Sequence, residues 1–97
     1  MKNIMHLKSS IPPVVFYAAE LRQFHPSRQT GWVDGGLCPF HDDRRPGSFY
    51  VNLDSGAFTC FSCGAKGGDT IAFVMQRYEL TFPEAVEYLS QRWGVSV

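Results

Sequence analysis

The sequence predicts an α+β fold, a small antiparallel sheet flanked by an N-terminal helix and two C-terminal helices. Three observations carry that expectation. Apolar residues recur at helical spacing in residues 14–24 and again through the last third of the chain. Apolar and polar residues alternate strictly over residues 49–53. Two short Cys/His knuckles, Cys38-x-x-His41 and Cys60-x-x-Cys63, bracket that alternating stretch.

The elements follow in order. Residues 1–11 carry little pattern and are expected to form a flexible lead-in, with the folded unit spanning 12–97. Pro12-Pro13 suits a first helical turn, after which Val14, Tyr17, Ala18, Leu21 and Phe24 share one face; His25-Pro26 ends the helix. Thr30-Gly31 and Gly35-Gly36 read as turns around a short strand at Trp32-Val33. In SFYVNL, Phe49, Val51 and Leu53 point one way and Tyr50 and Asn52 the other. Asp54-Ser55-Gly56 makes the hairpin loop, with Gly56 in the left-handed position, and AFTCF is the return strand. Asp69 caps a helix whose face is Ile71, Val74, Met75 and Tyr78. Thr81 and Glu84 form a capping box for a second, striped by Ala85, Val86, Leu89 and Trp93 and stopped at Gly94. These stripes read as core.

The knuckles define the chemistry. Three cysteines cannot all pair as disulfides, and histidine holds the fourth position. A tetrahedral metal site needs four nitrogen or sulfur donors delivered by two tight turns, and Cys38, His41, Cys60 and Cys63 supply them. Joined by a hairpin of 18 intervening residues, they have the layout of a zinc ribbon. With all four positions filled by protein, one Zn²⁺ ion would be structural. A thioredoxin-like pair at Cys60 and Cys63 would need a strand-to-helix turn in a parallel fold, which the pattern does not offer. An iron–sulfur cluster fits poorly because histidine ligation is uncommon there. His6 and His25 have no partners in sequence and read as surface residues.

Composition sets the remaining bounds. Nine Lys and Arg balance nine Asp and Glu, so the net charge is zero, and any nucleic-acid binding by this chain should be weak and salt-sensitive. No apolar run approaches the roughly 20 residues that span a bilayer, and Met1 to Lys8 is too short and too polar for a secretory signal. Cysteines gathered into metal knuckles suit a reducing cytoplasm. The carboxylates form no recognisable two-metal cluster, so no catalysis is assigned to this chain.

At GLCPFHDDRRPGSF and FTCFSCGAKGGDTIAFVM the chain resembles the N-terminal zinc-binding domain of bacterial replicative DNA primases. Gly36, Leu37, Cys38, Pro39, Phe40 and His41 follow the family pattern in order, as do Cys60, Phe61, Cys63, Gly64, Gly67, Gly68 and Asp69. The likeness covers roughly residues 12–95. Gly47 adds one residue to the usual Pro-Ser-Phe, and Asp34 stands near where the family tends to carry a basic residue. The resemblance implies a role in recognising single-stranded DNA template where a primer starts, beside a separate primase polymerase domain or a replicative helicase. It implies no membrane and no small-molecule substrate.

Single strands are held by aromatic platforms under the bases and cations along the backbone. Here Trp32 and Tyr50 are the expected platforms, and Arg44, Arg45 and Lys66 the cations. By residue type alone Arg44-Arg45 also reads as a solvated turn neutralised by Asp42-Asp43, and the resemblance favours phosphate contact. Lys66 does not sit in a phosphate-loop motif and reads as part of a helix entry. Phe40 and Phe61, inside the knuckles, are expected to pack around the metal. The alternative function is a protein-interaction ribbon that docks on replication proteins with little DNA affinity of its own.

Overall fold

A computed structural model describes residues 3–97. Among the described residues eight elements follow one another: α1 (Ile4–Ser10), α2 (Pro13–Glu20), β1 (Trp32–Asp34), β2 (Phe49–Asn52), β3 (Phe58–Cys60), β4 (Lys66–Gly67), α3 (Thr70–Tyr78) and α4 (Phe82–Trp93). The strands form one antiparallel meander in the order β1-β2-β3-β4. The expected α+β architecture holds, with one more helix and one more strand than the sequence pattern gives.

The sheet has a dry side and a wet side. Val33, Phe49, Val51, Leu53 and Phe58 are buried on the inner face, where α2 contributes Phe16 and Tyr17 and α3 contributes Ile71, Phe73 and Val74. Phe73 is the hub: its ring meets those of Phe16, Tyr17, Phe40 and Phe58 edge-on, with centroids 5.3–5.5 Å apart. Such edge-to-face pairs each add about 0.5–1.5 kcal/mol beyond area burial. Helix α4 closes the other side of α3 with Ala85, Val86 and Leu89.

The turn chemistry is as the sequence predicts. Gly56 has φ +83° and its N–H returns to the Asn52 carbonyl at 2.8 Å. Asp69 accepts from the Ala72 N–H at 2.8 Å, Thr81 and Glu84 cap each other's backbone, and Gly94 closes α4 in the left-handed region.

Three expectations need correction. Residues 1 and 2 lie outside the described residues, but from Ile4 onward the expected lead-in is a helix. The Asn3 side chain caps it by accepting from the His6 N–H at 3.0 Å, Leu7 and Ile11 are buried, and Lys8 pairs with Asp69 at 3.1 Å. Helix α2 ends at Glu20 instead of Phe24. The chain there turns extended at Leu21 so that Arg22 can bridge Leu37, whose N–H donates to the Arg22 carbonyl at 3.0 Å. Its buried face is accordingly Phe16 and Tyr17, while Ala18 is exposed. Finally, Lys66 belongs to a strand: β4 pairs with β3 before α3 begins.

Candidate metal centre and outer sheet face

Each knuckle is a tight turn presenting donors to the same point. Cys38 follows the Arg22–Leu37 bridge, and its N–H donates to the Asp43 carboxylate at 2.8 Å, which closes the first knuckle around His41. Cys60 is the last residue of β3 and stands opposite Phe49, so the sheet itself fixes its depth. The turn to β4 then carries Cys63 back, with the Gly64 N–H on the Cys60 carbonyl at 2.9 Å and Gly64 at φ +82°.

The four donor atoms, three sulfurs and one ring nitrogen, lie within 4.8 Å of one another. Cys38 Sγ and Cys63 Sγ are 3.9 Å apart, and Cys60 Sγ is 3.6 Å from His41 Nε2. A tetrahedron with Zn–S bonds of about 2.3 Å has sulfur–sulfur edges of about 3.8 Å, close to the 3.9 Å between Cys38 Sγ and Cys63 Sγ, so the cluster is of a size to take the ion. Burial pushes the Cys38 thiol up to about 12, with neighbouring Cys60 and Cys63 adding to the rise. At Cys60 burial also pushes upward, but the backbone N–H groups of Cys63 and Ser62, together with His41, outweigh it and bring the thiol down to about 7. Zn²⁺ converts such thiols to thiolates and releases their protons, and Cys38, His41, Cys60 and Cys63 would hold one ion as a closed structural site.

The outer face of the sheet lies away from the helices. Strand register sets Asp34, Tyr50, Thr59 and Lys66 in one row across all four strands. Trp32, Gly47, Tyr50, Thr59 and Phe61 line an open groove of about 450 Å³ on this face. Trp32 is 44% exposed and Phe61 78%, which is unusual for such large rings. The Tyr50 hydroxyl donates to the Gly47 carbonyl at 3.2 Å, and its ring meets Phe61 edge-on at 5.8 Å.

The sequence-predicted residues therefore divide. The four ligands converge, and Trp32 and Tyr50 meet in one groove. Lys66 ends the row that runs through Tyr50, exposed on β4. Arg44 is ion-paired with Asp42 at 3.1 Å in an open turn, and Asp43 is engaged by the Cys38 backbone. Arg45 is exposed, two residues before the groove residue Gly47.

Phe40 does pack inward, stacking on Phe58 at 5.4 Å, but Phe61 does not pack around the metal centre. Sequence reasoning missed Phe61 and Thr59 as groove residues. Two-residue alternation continued one step past Cys60 would have found both, because Thr59 and Phe61 point the same way. His6 and His25 are exposed, as expected.

Comparison with known proteins agrees with this geometry. The CHC2 zinc finger family matches residues 14–97. A DNA primase of Streptomyces coelicolor is 53% identical over 62 residues, covering 64% of this chain and 9% of that protein. A DNA primase of Pseudomonas aeruginosa is 44% identical over 70 residues, covering 72% of this chain and 10% of that protein. The chain thus spans about a tenth of the length of the curated relatives it matches. The crystal structure of the Aquifex aeolicus primase, comprising zinc-binding and RNA polymerase domains, aligns with a TM-score of 0.71 at 32% identity. That alignment covers 97% of this chain and 22% of the other. With the family profile matched along most of its length and all four ligands in place, the chain belongs to the CHC2 zinc finger family, the zinc-binding domain of DNA primases.

Proposed function

We propose that this chain is a template-holding module for primer synthesis in DNA replication, binding single-stranded DNA on the outer face of its sheet. The observation that carries the reading is the groove lined by Trp32, Tyr50, Thr59 and Phe61, where the exposed rings of Trp32 and Phe61 flank the half-buried ring of Tyr50 on the face the helices leave bare. Aromatic faces accept any base, and stacking contributes about 1–3 kcal/mol per base. Arg45 and Lys66 flank the groove as phosphate contacts, with Arg44 available once it exchanges Asp42 for a phosphate. The folded zinc domain is the non-catalytic partner: nucleotidyl transfer belongs to a primase polymerase domain, with a replicative helicase as the other candidate partner, in the cytoplasm. The primases it resembles support that assignment.

A second reading is a protein-interaction ribbon docking on replication proteins. Zero net charge and the Arg44–Asp42 ion pair favour it, because both reduce the pull on phosphate. Fluorescence anisotropy of labelled single-stranded DNA against the zinc-loaded protein, at two salt concentrations and with a chelated control, separates the two. Template holding requires zinc-dependent, salt-sensitive binding that Tyr50→Ala weakens by roughly 5- to 100-fold. No binding at low salt would give the interaction ribbon the stronger claim. Binding that survives Arg45→Ala combined with Tyr50→Ala would move the contact surface elsewhere.

A further inference from the structure

A role for one further cation, Arg28, rests on the template-holding reading and on its bond to the backbone of the groove residue Trp32. β1 is an edge strand: Gly31 O and Gly35 N face β2, so the alternate backbone groups of Trp32 point to the open side. There the Arg28 Nη2 donates to the Trp32 carbonyl at 2.6 Å. This bond pins a guanidinium to the backbone of the residue that carries the exposed ring of β1. Among the described residues no carboxylate lies within ion-pairing distance of Arg28, whereas Arg44 is already paired with Asp42. A guanidinium held by one N–H keeps its remaining donors for a phosphate, where the planar fork is well matched.

We infer that Arg28 and Trp32 act together on one nucleotide, Trp32 stacking its base and Arg28 bonding its phosphate. Asp34 sharpens the arrangement. It lies two residues along the same strand, exposed, with its carboxylate fixed on the Gly36 N–H at 2.8 Å. A phosphate is therefore repelled from the Asp34 end of β1 and drawn to the Arg28 end. Lys66, three strands away on β4, serves a phosphate further along the DNA strand.

The test is salt-dependent anisotropy with oligothymidylate and the zinc-loaded full chain, comparing wild type, Arg28→Ala, Trp32→Ala and the double variant. Arg92→Ala, on α4, is the control. Arg28→Ala should weaken binding about tenfold and flatten the salt dependence by about 0.7 in log–log slope, the loss of one phosphate contact to a single strand. The double variant should lose less than the product of the two single effects, because both residues serve the same nucleotide. Arg92→Ala should bind as wild type does. Wild-type affinity and slope for Arg28→Ala, with zinc-dependent binding intact in the parent, would overturn this inference and leave template holding standing. Absence of binding by the parent itself would remove both. Should Arg28→Ala fail to fold, Arg28→Gln, which keeps a donor for the Trp32 carbonyl without the charge, carries the comparison.

Discussion

At the scale of single residues, side chains do two kinds of work: four hold metal, and a few tie distant segments. Tyr17 is of the second kind. Its hydroxyl, fully buried in α2, donates to the Gly56 carbonyl at 2.5 Å, fixing the tip of the β2–β3 hairpin to a helix 39 residues earlier. Burial, with Asp69 nearby, pushes its phenol far above the ordinary range, so it stays a donor at any working pH. Tyr17→Phe should cost about 1–3 kcal/mol in urea unfolding, because it strands a buried carbonyl. Gly36 works by being small: a Cβ there would sit 2.3 Å from the Arg22 carbonyl, at φ +78°, and push apart the bridge that sets the first knuckle. The ligands were legible in the sequence because their spacing is itself the chemistry. The Tyr17–Gly56 bond was not, since nothing local marks a hydroxyl's partner across 39 residues.

At the scale of elements, legibility followed the length and strength of the pattern. The hairpin and the two C-terminal helices carry both periodicity and caps, and they form where expected. Helix α1 is seven residues long, and its stripe of Ile4 and Leu7, continued by the capping residue Ile11, reads as noise without a core to receive it. Tertiary packing creates that helix, as it does most short ones. Leu7→Ala should therefore cost about 2–5 kcal/mol, a core-sized penalty, read as a drop in thermal midpoint. A change below about 0.5 kcal/mol would return these residues to the loose lead-in. β4 escaped notice for a related reason: two residues in a Gly-rich run become a strand only because β3 is there to pair with. Helix α2 ran short of its predicted end because the pairing of Arg22 with Leu37 overrode helical propensity at Leu21.

At the scale of the whole molecule, metal and aromatic core are one structure. Phe40, between Cys38 and His41, stacks on Phe58, and Phe58 lies against Phe73 of α3, so the knuckle is anchored in the same packing that binds the helices. Structural zinc contributes on the order of 10–16 kcal/mol in small modules, as much as an ordinary domain's entire stability. Cys60→Ser, or a chelator, should therefore abolish the ribbon's ordered signals in NMR and lower the thermal midpoint throughout. An unchanged spectrum of the outer-face residues without zinc would contradict that coupling. Zinc affinity should also fall with pH, since protons compete for the thiolates.

The short outer strands carry a consequence of their own. β1 has three residues and β4 two, and Arg28 covers one carbonyl of the open side. A longer edge beside so many bare rings would invite another copy of the chain to add its strand and zip into an aggregate. Truncated borders remove that template, so the domain can keep its oily face in water, open to the bases of the proposed template strand, without becoming an adhesive for itself.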